Sequence, residues 1–209
     1  FYNFSEEKPA DICQNTQVPL KWGNTGKPVK SRKNQHIRRN ADMIKILFIC
    51  HGNICRSPMA EFVMKDMVEK RGLSDLFFIA SAATSTEEIG NPVHYGTRQK
   101  LKQYGISVDG KYAVQVKKRD YEKYDYIFGM DHWNMRNMRL IFGPNRTKKL
   151  HLLLDFSKNP REIADPWYTG DFDLTYRDIY EGCETVLEYI MTHDSMYRKK
   201  YGKIKEINQ

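Results

Sequence analysis

The chain is predicted to fold as an α/β domain, a parallel sheet with helices packed on both faces. A continuous apolar run, Ile44 to Ile49, has the β-branched character of a strand buried on both faces of a parallel sheet. Strand-like and helix-like patterns then alternate as far as about residue 195. The length of 209 residues suits one well-buried domain with appendages and is too short for two typical ones.

Ile44 to Ile49 is the first strand. Ser57-Pro58 reads as N-cap and first residue of a helix whose apolar face, Ala60, Val63, Met64, Met67 and Val68, closes at Gly72. Leu76 to Ala82 is a second buried strand, and the segment from Ser81 to Gly90 is a loop at a strand's C-terminal end, where open α/β sheets place ligand contacts. Asn91-Pro92 starts a helix with Val93, Thr97, Leu101 and Tyr104 on one face before Gly105. Ala113 to Val116 suits a short strand edge, and Lys117 to Tyr124 a charged turn or helix. Tyr126 to Met130 is the third strand. Asp131 then caps a helix containing Trp133, Met135, Met138 and Leu140 that ends near Gly143-Pro144. Leu150 to Leu154 is the fourth strand. A last helix from about Asp173 buries Leu174, Ile179, Cys183, Val186, Leu187, Ile190 and Met191.

Residues 1–42, polar and carrying Pro9, Pro19 and Pro28, read as a disordered basic extension; 43–195 form the domain, and 196–209 a basic tail. The net charge is +8. Residues 1–42 hold 8 Lys/Arg against 4 Asp/Glu, and a basic run from Arg198 to Lys205 lies in the tail, so the body is close to neutral. Basic ends of this kind are more often solvated than bound to nucleic acid, and no nucleic-acid partner is expected. The four cysteines, 13, 50, 55 and 183, lack the spacing of a disulfide framework. No run is long enough for a membrane span, and the first ten residues lack the basic start and apolar core of a signal peptide, so a cytoplasmic setting is expected.

The chemistry concentrates between the first strand and the first helix, in C-H-G-N-I-C-R-S-P, residues 50 to 58. Cys50 ends the strand and Arg56 follows six positions on. The intervening backbone N–H groups can curl round one anion, with Gly52 free to take positive φ. The N–H groups, the helix N-terminus and Arg56 would stabilise a Cys50 thiolate, with Ser57 as a hydroxyl donor to the sulfur. A strand can also end in Cys because Cys packs as a small hydrophobe. Strand before, helix after, Gly inside and Ser57 within reach together favour nucleophile and anion cradle in one loop.

With two further motifs, Y-I-F-G-M-D at 126 to 131 and D-P-W-Y at 165 to 168, this loop makes residues 43 to about 195 resemble the low-molecular-weight protein tyrosine phosphatase family. The resemblance implies a four-stranded parallel sheet of order 2-1-3-4, with no metal and no organic cofactor. It implies hydrolysis of phosphotyrosine in a protein, or of a small aryl phosphate, through a cysteinyl-phosphate. In these roles Cys50 is the nucleophile, Arg56 the phosphate clamp, Ser57 the thiolate-stabilising hydroxyl and Asp165 the general acid. His51, Gly52, Asn53, Ile54, Cys55 and Ser57, together with Trp167 and Tyr168, would line the substrate site, and Asn53 with Ser81 would hold the loop in shape. Chemistry agrees: a guanidinium plus N–H groups can neutralise a phosphate dianion facing a thiolate. A protonated Asp165 can serve the leaving phenolate and then the hydrolytic water. On its own Asp165 would read as an Asp-Pro turn starter.

Three positions depart from the family's pattern. Glu87 stands where a Trp often flanks the substrate ring, and Lys111 and Val114 replace a His and an Arg that support the loop, which puts its rigidity in question. Family members with a Cys pair like Cys50 and Cys55 resemble redox-protected enzymes, the second thiol trapping a sulfenic acid on the first.

Rival readings are an arsenate reductase of the same fold, a protein arginine phosphatase and a non-catalytic phosphate-binding module. The first needs a later relay pair of cysteines, and only Cys183 follows the loop. The second tends to have Thr at the position of Ile54. A binder has no need to keep Cys50, Arg56 and Asp165 together. A zinc site on Cys50, His51 and Cys55 lacks a fourth ligand.

Overall fold

A computed structural model of the chain describes residues 43–198, apart from 144, 145, 147 and 196. The expected extension over 1–42 lies outside the described residues, as do Pro144 and all of the 196–209 tail but Tyr197 and Arg198. Tyr197 is buried, its ring 6.4 Å from that of Phe77.

Four strands form one parallel sheet: β1 (Ile44–Cys50), β2 (Phe77–Ala83), β3 (Tyr126–Gly129) and β4 (Leu150–Leu152), in the order β2-β1-β3-β4. The expected topology is met. β1 is central, pairing Cys50 with Ala83 on one side and Ile49 with Gly129 on the other. The helices are α1 (Arg56–Lys70), α2 (Tyr95–Lys102), α3 (Asp120–Lys123), α4 (His132–Phe142), α5 (Pro166–Thr169) and α6 (Phe172–His193).

Strand alternation divides the core. Ile44, Ile46, Phe48 and Cys50 join Val63 and Met64 of α1 with Ile179, Cys183 and Leu187 of α6. Leu47 and Ile49 of β1 pack on the other face with Ile127, Met138 and Phe142. Cys50 is thereby carried to the C-terminal end of the central strand on the face that α1 covers. No helix among the described residues is long and apolar enough to cross a membrane.

Several boundaries differ from expectation, each for a tertiary reason. α1 begins at Arg56 with Cys55 as N-cap, so Ser57 and Pro58 lie inside its first turn. The Ser57 hydroxyl is spent on Cys50 and Asn53 instead of capping its own helix. Asn91-Pro92 does not start α2: Pro92 is extended in an antiparallel bridge with Tyr112, and the His94 ring caps Gly96 N at 3.1 Å. Ala113 to Val116 contributes one parallel bridge, Gln115 to Ala83. β4 stops at Leu152, where the Asp155 carboxylate accepts from Leu152 N and turns the chain, yet Leu153 and Leu154 remain fully buried. α6 starts at Phe172, capped by Asp171, which leaves Leu174 at 38 % exposure outside the apolar stripe.

Candidate active site

The loop from Cys50 to Arg56 is held from outside through its carbonyl oxygens. Cys50 O accepts from Thr84 N at 2.9 Å, His51 O from Ser85 N at 3.0 Å and Ile54 O from His94 N at 2.8 Å. Carbonyls engaged outward leave the loop's N–H groups for its concave side. Asn53 N donates to Cys50 Sγ at 3.3 Å, and Ser57 Oγ lies 3.1 Å from the same sulfur. No side chain caps α1, so its first-turn N–H groups remain available beside the loop.

The left-handed residue of the loop is Asn53, at φ 59°, and not Gly52 as expected. Asn tolerates this region better than other side chains. Here it is fixed three ways: its Nδ2 donates to Ser57 Oγ at 2.9 Å and to Ser81 Oγ at 2.8 Å, while its Oδ1 accepts from Val114 N at 3.1 Å. Gly52 serves a different need, because a Cβ there would stand 3.0 Å from Glu88 Cγ.

The Asn53 network continues into a buried ion pair that sequence reasoning missed. Ser81 Oγ donates to Glu61 Oε2 at 2.6 Å, and the same oxygen lies 3.0 Å from Lys111 Nζ, which also donates to Ser81 O. Lys111, a departure from the family pattern, therefore supports the loop. Val114 supports it through its backbone N–H, which any side chain there would supply. Burial works against the Glu61 charge, but Lys111, Lys65 and the Ser81 hydroxyl outweigh it and lower its pKa. A lowered folded pKa means stabilisation that is complete above the usual carboxylate value of about 4.5 and lost as pH falls through the folded value. Glu61→Gln leaves Lys111 half-paired and is expected to cost about 2–4 kcal/mol at neutral pH. Urea unfolding should show that deficit shrinking towards about pH 3, whereas an equal deficit at both pH values would mean that the charge on Glu61 is not what stabilises the fold.

Arg56 is 2 % exposed and holds two carboxylates. Its Nη1 donates to Asp131 Oδ2 and its Nη2 to Asp165 Oδ2, each at 2.5 Å, and Nη1 also reaches Ile163 O at 3.0 Å. Burial opposes the guanidinium charge, but Cys50, Asp165 and Asp131 outweigh it and raise its pKa. Both acids double as helix caps: Asp131 Oδ1 accepts from Asn134 N at 2.7 Å and Asp165 Oδ1 from Trp167 N at 3.1 Å. Asp131, the N-cap of α4, thus fixes the clamp as well. Its place just after β3, at the C-terminal edge of the sheet, was the available signal.

A cavity of about 500 Å³ opens above the loop, lined among others by Cys50, Cys55, Arg56, Asp131, Asp165 and Trp133. Gly52 and Ile54 also line it, as do the exposed His51, Trp167 and Tyr168 at its rim. Asn53 and Ser57, grouped with the substrate residues from sequence, lie fully buried beneath the loop and act on it from below. Glu87 does line the cavity and pairs with His51 Nε2 at 3.0 Å. Burial, then Cys50 and Asp165, push the Cys55 thiol up to about 12. Cys55 must therefore lose a proton before it can act as the disulfide trap that the resemblance implies. Burial also raises Cys183, whose sulfur is fully enclosed under α6 and remote from a relay role.

Residues 45–200 match the family described as low molecular weight phosphotyrosine protein phosphatase. The chain belongs to this family. It is by that membership a cysteine-dependent protein-tyrosine phosphatase, a phosphoric monoester hydrolase. Low molecular weight protein-tyrosine-phosphatase YfkJ of Bacillus subtilis is 41 % identical over 150 residues, covering 71 % of this chain and 96 % of the relative. The crystal structure of YfkJ superposes with a TM-score of 0.71 at 40 % identity, over 73 % of this chain and 98 % of that one. The low molecular weight protein tyrosine phosphatase SP-PTP of Streptococcus pyogenes, also 40 % identical, gives 0.64 over 77 % and 98 %. Among the described residues no group of three or more His, Cys, Asp or Glu is placed to hold a metal ion.

Proposed function

We propose that this phosphatase works through a cysteinyl-phosphate on Cys50, with Asp165 as its acid and base and phosphotyrosine in proteins as its substrate. One observation carries the reading: a sulfur held by Ser57 Oγ and Asn53 N–H shares a cavity with a guanidinium gripped by two acids. Arg56 and the loop N–H groups bind the three non-bridging phosphate oxygens, and the Cys50 thiolate attacks phosphorus. A bond forms from Sγ to phosphorus as the bond to the tyrosine oxygen breaks, and protonated Asp165 supplies that oxygen's proton. The Asp165 carboxylate then takes a proton from the water that attacks phosphorus. Inorganic phosphate leaves and the thiolate returns.

Asp131 keeps Arg56 in register while Asp165 exchanges the guanidinium for the reacting oxygens, a division of labour that the two separate Nη contacts support. Trp167, exposed at the cavity and capped through its N–H by Asp165, suits an aromatic leaving group. A purified-protein assay on matched phosphotyrosine, phosphoserine and phosphoarginine peptides should show turnover on phosphotyrosine alone. Faster release from phosphoarginine would overturn the substrate assignment and favour the arginine phosphatase reading.

A further inference from the structure

We infer that Trp133 is a specificity-determining residue of this site, its indole forming a wall against the aromatic ring of the phosphorylated tyrosine. The inference rests on the phosphotyrosine reading above and adds a residue to it.

Two acids hold the two arms of Arg56, and each is the N-cap of a helix: Asp131 of α4 and Asp165 of α5. Two residues beyond each cap stands an indole, Trp133 after Asp131 and Trp167 after Asp165, and both line the same cavity. The clamp and the two aromatic side chains are thus built as one repeated unit, cap, clamp and ring. Trp133 is 56 % exposed and Trp167 58 %. The packing of α4 does not need Trp133, because its buried residues, Asn134, Met138 and Phe142, fall at four-residue spacing on another face. Exposed rings gathered round a concave site mark binding surface, since folding alone gives no reason to place them there.

The indole is also held in place rather than left to swing. Its ring lies 4.8 Å from that of His132 and 5.6 Å from the Arg136 guanidinium. His132 is itself anchored, with Glu162 Oε1 accepting from His132 N at 2.9 Å and lying 2.9 Å from Nδ1. An aromatic wall fixed beforehand loses little freedom when a ring packs on it. From the 85–88 loop the cavity is lined by the carboxylates Glu87 and Glu88, so Trp133 supplies from α4 an aromatic surface that this loop does not.

Steady-state kinetics on Trp133→Ala and Trp133→Phe, with phenyl phosphate as substrate, test this. Two competitive inhibitors separate ring from phosphate: phenylphosphonate and inorganic phosphate. Trp133→Ala should raise KM for phenyl phosphate and Ki for phenylphosphonate together, by about two- to tenfold, the scale of one aromatic contact. Its kcat and the Ki for inorganic phosphate should stay as in the wild type, and Trp133→Phe should recover most of the loss. Unchanged KM would overturn the inference, and so would a rise in Ki for inorganic phosphate of the same size, which would mean that α4 and Arg56 had shifted. A change seen with phosphotyrosine peptides and not with phenyl phosphate would also overturn it, placing Trp133 against the peptide and not the ring. If the wild type fails to cleave phenyl phosphate at all, the phosphotyrosine reading fails instead.

Discussion

Cys50→Ser is expected to lose turnover of aryl phosphates by roughly 10⁴-fold or more while binding inorganic phosphate almost as the wild type does. The loss follows from chemistry: a serine hydroxyl is not available as an alkoxide near neutral pH, and the other cavity thiol, Cys55, is kept protonated by burial. Binding survives because the loop owes little of its shape to Cys50. Its carbonyls are tied to Thr84, Ser85 and His94, Asn53 is fixed by Ser57, Ser81 and Val114, and Arg56 by Asp131 and Ile163 O. Phosphate affinity by competition or calorimetry, beside turnover, checks both halves. Turnover within tenfold of the wild type would remove Cys50 as nucleophile, and a parallel collapse of phosphate binding would mean that the sulfur organises the loop.

For Asp165→Asn, turnover of phenyl phosphate should fall by roughly 10²-fold or more, the usual scale of a lost general acid. With p-nitrophenyl phosphate, whose leaving group needs no proton, the first step should lose much less, so release of p-nitrophenol in the first turnover stays near the wild-type rate while steady turnover falls with hydrolysis of the intermediate. Asparagine is preferred to alanine because Asp165 Oδ1 caps α5 through Trp167 N, and an amide oxygen can still accept that bond. An alanine would combine a lost cap, about 1 kcal/mol, with the lost acid. A first-turnover loss as large on p-nitrophenyl phosphate as on phenyl phosphate, accompanied by a lower Tm, would mark Asp165 as the anchor of α5 and of Arg56 and nothing more.

What the sequence revealed and what it concealed follow from range. β1, the alternating elements and the C-H-G-N-I-C-R-S-P loop were legible because each is written in consecutive residues. Ser57-Pro58 and Asn91-Pro92 carry good local helix-start signals, and both were overruled by partners far along the chain: Ser57 by Cys50 and Asn53, Pro92 by Tyr112. Gly52 was the natural candidate for positive φ until the hydrogen bonds of Asn53 to Ser81 and Val114 decided otherwise. The Lys111–Glu61–Ser81 support lay hidden for the same reason, since its members are scattered over three segments that only the sheet brings together. Substitution of a His by Lys111 looked like a loss of loop support. It is a replacement, because Glu61 gives the ammonium a buried partner.

The proposed mechanism stands on a covalent phosphate on Cys50, which can be trapped. Asp165→Asn mixed rapidly with p-nitrophenyl phosphate and quenched in acid should carry one phosphate per chain, because phosphorylation needs no acid with this substrate while hydrolysis of the intermediate lacks its base. A burst of p-nitrophenol equal to the enzyme is expected, together with a phosphorylated peptide that contains Cys50 by mass spectrometry. No burst and an unmodified Cys50 under those conditions, with turnover still proceeding, would contradict that mechanism.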